Sequence, residues 1–118
     1  MEYHISDSEW KIMEILWEKG IATQNQIQTA LEVDWNKNTV YTFLHRLEQK
    51  GIVKSGGSPK QYQAAVGREE CVEQEQKNFL DKLYHGSAGR MVTAFLEKGK
   101  LTEKEVEDLK QLLEGMDV

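Results

Sequence analysis

The 118-residue sequence contains one cysteine, one proline and three histidines, and each scarcity removes a class of protein. Cys71 alone cannot close a disulfide within the chain or build a thiolate cluster. It sits beside Glu69 and Glu70, which disfavour a thiolate, so it reads as structural or inert. With only Pro59 to interrupt the backbone, long stretches remain open to helix. His4, His45 and His85 lie in three separate segments with no i, i+4 partner, so no helical metal chelate is encoded. No apolar run approaches the roughly 18 residues of a spanning helix. The opening Met-Glu-Tyr-His lacks the basic and apolar regions of a signal peptide. Also missing are a glycine-rich phosphate loop, a nucleophile elbow and a histidine–glutamate zinc pair. These absences predict a soluble cytoplasmic protein that is not inserted in a membrane, is not an enzyme, and has no metal or cofactor.

What is present is enough apolar matter for a core, at 39% hydrophobic and 30% charged residues. The formal charge of −5 argues against a nonspecific coat on nucleic acid, but it is unevenly spread. From Trp35 to Tyr62, five cations (Lys37, Arg46, Lys50, Lys54 and Lys60) face the single acid Glu48, a net of +4 in 28 residues. From Gly67 to Val118 the balance reverses to −4, with 8 cations against 12 acids. A basic stretch inside an acidic chain is a candidate footprint for phosphates.

Along the chain, Ser6-Asp-Ser-Glu9 has the form of a capping box. Ile12, Met13, Ile15, Leu16 and Trp17 then follow at helical spacing up to Gly20. A second box, Thr23-Gln-Asn-Gln26, opens a shorter helix with Ile27, Ala30 and Leu31 inward. Asn36 caps a third helix, with Val40, Phe43, Leu44 and Leu47 inward, which Gly51 stops. The period then changes. Ile52-Val53-Lys54, the turn cluster Gly56-Gly57-Ser58-Pro59 and the alternation at Tyr62, Ala64 and Val66 predict a β-hairpin. Helical spacing returns from Gly67, in stretches ending near Gly86, near Gly99 and after the box Thr102-Glu-Lys-Glu105. The expected fold is mainly α: a winged helix-turn-helix over residues 1–66, three helices plus a hairpin wing, followed by a helical region over 67–118.

At about 100° per residue the apolar positions of the third helix share one side. The opposite side carries Asn38, Thr42, His45 and Gln49, flanked by Thr39, Tyr41 and Arg46. None of these is acidic, and all but Arg46 bear uncharged groups able to donate to or accept from base edges. A major groove admits one helix, whose first turns read bases while nearby cations meet phosphates. The candidate DNA-binding residues are therefore Asn38, Thr39, Tyr41, Thr42, His45 and Arg46, with Lys54 and Lys60 on the wing. The plain alternative is a solvated helix face beside an ordinary turn.

The segments "SDSEWKIMEILWEKG", "DWNKNTVYTFLHRLEQKGIV" and "QYQAAV" resemble the penicillinase-repressor family, BlaI/MecI, with its copper-responsive CopY branch. The resemblance covers nearly the whole chain, including "LTEKEVEDLKQLL". It implies a homodimeric winged-helix repressor that binds a palindromic double-stranded operator through its third helix. By the same resemblance Thr39 and Thr42 contact DNA. Asn38 and Tyr41 stand where better-known members carry lysine and arginine, which implies a different operator. The paired Cys-x-Cys motifs of the copper branch are missing. The family also implies inactivation by cleavage under a membrane sensor protease, at a bond before a phenylalanine. Thr93-Ala94-Phe95-Leu96 resembles that stretch, making Ala94–Phe95 the candidate bond.

The last 52 residues are too few to bury three amphipathic stripes well by themselves. Two copies packing those stripes together would do so. The candidate dimer interface is Phe79, Leu83, Val92, Phe95, Leu96, Val106, Leu109 and Leu113, the alternative being that these side chains fold back as core. A different functional class also fits: a winged-helix protein-interaction adaptor without specific DNA binding, favoured by the net charge and the missing cations at positions 38 and 41.

Overall fold

The computed structural model of the chain describes residues 3–115. The chain divides into two compact units, one ending at Glu75 and the other beginning at Gln76.

The first unit is built from α1 (Asp7–Lys19), β1 (Ile21–Thr23), α2 (Gln24–Ala30), α3 (Lys37–Gln49), β2 (Val53–Gly56), β3 (Gln61–Ala64) and the opening turns of α4 (Arg68–Tyr84). Its helices begin where their caps say they should. Ser6 accepts from the Glu9 amide at 3.1 Å while the Glu9 carboxylate accepts from the Ser6 amide at 2.9 Å. Thr23 and Gln26 repeat this reciprocal pair at α2. The helix α3 ends in a left-handed Gly51 with φ +78°. There the amides of Gly51 and Ile52 each donate at 3.0 Å, to the carbonyls of Glu48 and Leu47. This doubled closure, with apolar residues at its two ends, is a stop that a Cβ at position 51 would strain.

The core draws Ile12, Met13 and Leu16 from α1, Ile27 from α2 and Val40, Leu44 and Leu47 from α3, all with no exposed surface. Ile52, Val53 and Tyr62 close it from the hairpin. The strands form one antiparallel sheet in the order β1-β3-β2, with Ile21 opposite Gln63 and Val53 opposite Ala64. The hairpin was expected; β1 was not, because three residues are too few to display an alternating pattern. The indole N–H of Trp17 donates to the Val66 carbonyl at 2.9 Å, tying the exit of the hairpin to α1. Cys71 is 2% exposed and belongs to this core. That burial draws the start of α4 into the first unit, although charge and periodicity change at residues 66 and 67. Burial, then Glu70 and Glu75, push its thiol up, in keeping with a structural residue.

The second unit comprises the rest of α4, α5 (Ala88–Glu97) and α6 (Glu103–Glu114). Ser87 and Thr102 cap the two later helices, the latter with its expected Glu105 partner. Its aromatic cluster joins Tyr84 to Phe79 at 5.9 Å and to Phe95 at 6.5 Å between ring centroids. No residue of α5 or α6 is fully buried.

One polar group interrupts the apolar core. Glu9 is 2% exposed. Its two carboxylate oxygens accept from Lys50 at 2.7 and 3.0 Å, and the same ammonium donates to the His4 carbonyl at 2.7 Å. Burial pushes the Glu9 carboxyl up, but the Lys50 bond and the Ser6 amide and hydroxyl outweigh it and hold the group below its usual range. A carboxylate lowered on folding stabilises the protein above its unfolded value, and that contribution is lost as the pH falls through the folded one. Lys50→Met should therefore destabilise the protein at pH 7 by about 2 kcal/mol. That is below the usual cost of breaking a buried pair, because Lys50 is 36% exposed. Urea titrations of both proteins should show the difference narrowing as the pH drops below 4.5; a constant difference would place the effect elsewhere.

Candidate nucleic-acid interface

The geometry of α3 is fixed at its entry by several independent ties. The Asn36 side chain accepts from the Thr39 amide at 2.9 Å and from the Thr39 hydroxyl at 3.2 Å. From α2, the Gln24 amide donates to the Lys37 carbonyl at 2.9 Å, and the Gln28 amide to the carbonyl of Trp35. The Trp35 ring lies 5.1 Å from that of Phe43. At the exit, Lys50 carries the bonds to Glu9 already described.

Between these ends the helix is divided lengthwise. Val40, Leu44 and Leu47 have no exposed surface, whereas Asn38, Tyr41, Thr42, His45 and Arg46 are exposed and Thr39 is half-buried. The outward residues fall into rows at helical spacing. One row runs Lys37, Tyr41, His45, Glu48, and within it the Tyr41 and His45 rings stack at 6.0 Å with planes 11° apart. The other holds Asn38 and Thr42, whose hydroxyl donates to the Asn38 carbonyl at 2.8 Å. With their protons so engaged, the hydroxyls of Thr39 and Thr42 turn lone pairs outward and act as acceptors. Arg46 lies over the Phe43 ring, 5.8 Å from its centroid, so its guanidinium is carried by an aromatic face.

Lys54 projects from β2 as an exposed cation. Lys60 is exposed too, but it is not idle. Its ammonium stands 3.6 Å from Glu48 of α3 and 5.3 Å from the centroid of the Tyr62 ring. Tyr62 first, and Glu48 second, hold the Lys60 ammonium above its ordinary value. In the sequence Glu48 stands only as the lone acid of the basic stretch, since nothing local signals a partner from the wing. Lys37, at the first turn of α3 and exposed, lies on the same face, where its place in the sequence marks it only as one charge of the basic stretch.

In the second unit, Phe79, Leu83, Leu96 and Leu113 of the candidate interface are exposed, and Val92, Phe95, Val106 and Leu109 are half-buried. The Ala94–Phe95 bond lies inside α5. The Ala94 carbonyl accepts from Lys98 at 3.1 Å, and that of Phe95 from Lys100 at 2.9 Å.

Three helices with a hairpin at their side, the third presenting a polar outer face, define a winged helix-turn-helix, an architecture that offers one α-helix to a nucleic-acid groove. Within that class the chain belongs to the penicillinase repressor family, whose model it matches over residues 5–115. It is 34% identical over 115 residues to the methicillin resistance regulatory protein MecI of Staphylococcus aureus, covering 94% of each chain. To the penicillinase repressor of Bacillus licheniformis it is 30% identical, covering 93% of this chain and 89% of that one. Its fold resembles that of the oxidised form of MarR from E. coli, with a TM-score of 0.52 at 20% identity, over 93% of this chain and 74% of that one.

The cap at Asn36 sets where α3 begins. Asn36→Ala should cost about 1 kcal/mol in a denaturant titration, whereas Asn36→Asp, which caps as well, should cost little. Equal losses from the two would mean that the amide nitrogen, not the capping oxygen, is what matters at this position.

Proposed function

We propose that the protein is a homodimeric transcriptional repressor that acts in the cytoplasm and binds a palindromic operator through α3, with the hairpin as a phosphate-contacting wing. The observation that carries this reading is the outward face of α3, where Asn38, Tyr41, Thr42, His45 and Arg46 are exposed while Val40, Leu44 and Leu47 are sealed in the core. The names of the relatives, a regulator of methicillin resistance and a penicillinase repressor, support the same function. Among the described residues no helix is long and apolar enough to cross a membrane.

The division of labour follows from the chemistry. Thr39, Thr42 and Asn38 meet base edges, and the Tyr41–His45 stack lays an aromatic edge where a thymine methyl would sit. Arg46, Lys54 and Lys60 neutralise phosphates. The apolar side chains that α4, α5 and α6 leave in solvent, Phe79, Leu83, Leu96, Leu112 and Leu113, support pairing with a second copy. Two-fold symmetry in the protein then matches two-fold symmetry in the operator. Release is assigned to a membrane sensor protease cutting at Ala94–Phe95, which requires α5 to unwind first because that bond is helical. The adaptor reading keeps one observation on its side, the −5 net charge of the chain.

Fluorescence anisotropy with a palindromic DNA fragment decides between them. The repressor loses affinity steeply as salt rises, with a log–log slope of about 0.9 per neutralised phosphate; DNA binding that is absent at low salt leaves only the adaptor. Tyr41→Ala and Thr42→Ala should weaken specific binding by about tenfold each with little change in nonspecific binding, whereas Lys54→Ala should weaken both alike and shallow the salt slope. Identical behaviour of the two classes would remove the distinction between reading helix and wing.

Leu113 is 58% exposed, so replacing it leaves the fold of one copy intact. Leu113→Asp should shift sedimentation from the dimer to the monomer, and an unchanged mass would put that leucine outside any interface.

A further inference from the structure

Away from the outer face of α3, the first unit carries a cleft of about 680 Å³ lined by α1, the end of α2, the residues after it and the start of α4. That volume falls within the range of pockets that hold small organic ligands. Its walls include both indoles of α1, Trp10 and Trp17, whose rings meet edge to face at 5.4 Å. Each ring is held by its own N–H: Trp10 donates to Glu14 at 3.0 Å and Trp17 to the Val66 carbonyl at 2.9 Å. Ile15, Leu31 and Val33 add half-buried apolar surface between them. The walls are therefore aromatic, fixed and formed in advance, which lowers the ordering cost of binding.

The charges around the cleft select the ligand's sign. Glu14 is neutralised by Arg68, whose Nε lies 3.1 Å from it. Glu18 and Glu32 line the same cleft without an ion-pair partner among the described residues, against one similarly unpaired cation, Lys11. The unpaired carboxylates outnumber the unpaired cation two to one, and two indoles line the wall, so the cleft attracts positive charge on a flat body by Coulomb attraction and by cation–π contact. An anion of the same shape meets a net negative rim. We infer that this cleft is a binding site for small planar organic cations, separate from the face assigned to DNA.

The test uses the full-length protein labelled with ¹⁵N at its tryptophan indoles. Trp35, which packs on Phe43 and does not line the cleft, serves as an internal control. Titration with 1-methylquinolinium should shift the Trp10 and Trp17 indole signals along one saturable curve and leave Trp35 in position. Naphthalene-2-sulfonate, of like size and opposite charge, should bind at least several-fold more weakly. The double substitution Glu18→Gln with Glu32→Gln, at two exposed positions, should weaken the cation by about tenfold, and Lys11→Gln should tighten it. No saturation at millimolar cation, an equal response to the anion, or an affinity indifferent to both sets of variants would each overturn the assignment. All of these readouts are independent of DNA, so failure of the cleft and failure of the repressor reading are separable.

Discussion

Which way α3 faces is decided by three side chains. Val40, Leu44 and Leu47 have no exposed surface, and burying a side chain of this size contributes about 1.5 to 3 kcal/mol. Turning the helix by one residue's angle would bring all three toward solvent and drive Tyr41, His45 and Glu48, or Thr39 and Arg46, toward the core. The loss would be of order 5 kcal/mol before any penalty for the unpaired polar groups, a large fraction of the stability of a domain this small. Every property of the outer face inherits its rigidity from this constraint. The ties at the two ends, Asn36 at the entry and Lys50 on Glu9 at the exit, add register to an orientation already chosen by burial.

Those ends are unlike in how far the sequence betrays them. Ser6 with Glu9, Thr23 with Gln26, Asn36 with Thr39 and Thr102 with Glu105 are all separated by three residues, so the capping chemistry can be read from local spacing. The polar face of α3 is legible for the same reason, since helical geometry maps sequence spacing onto direction. Lys50 and Glu9 are 41 residues apart, and Glu48 and Lys60 meet only because the hairpin returns to α3. Neither pair leaves a local mark. Glu9 could be read as a capping residue, and it is one, yet its role in holding the end of α3 depends on tertiary burial. The strand β1 stayed hidden for a related reason: its pairing with β3 is long-range, and Ile21-Ala22-Thr23 is too short to announce it. The cleft beside Trp10 and Trp17 gathers side chains from positions 10 to 68 and could not have been assembled from spacing.

The second unit shows where spacing runs out in another way. The stripes of α5 and α6 predicted helices and both formed, but an amphipathic stripe specifies only that something apolar must cover it. Neither helix buries a residue completely, and Leu112 and Leu113 remain 66% and 58% exposed. Leucines left in solvent at this level gain from any apolar partner. On the repressor reading a second copy is the partner that a two-fold operator would also call for, so a single assumption would account for both the exposed stripes and the one α3 that each chain would offer to DNA.

The electrostatics of the outer face then bear on how such a repressor would discriminate. Its reading positions hold amide, hydroxyl, imidazole and phenol groups, where arginine would supply the bidentate contact to guanine. The hydroxyls of Thr39 and Thr42 already give their protons to Asn36 and Asn38, so on the repressor reading they would meet a base as acceptors and favour the exocyclic amino groups of adenine or cytosine. The Tyr41–His45 stack offers an apolar edge beside them, suited to a thymine methyl. Meanwhile Lys60 must leave Glu48 before it can serve a phosphate, which trims the nonspecific attraction that a basic wing would otherwise provide. Fewer fixed cations lower affinity for all DNA, while the directional groups of α3 are spared. On the repressor reading the ratio of specific to nonspecific binding is thereby protected at the expense of absolute affinity, and two copies on one palindrome are the means of recovering it.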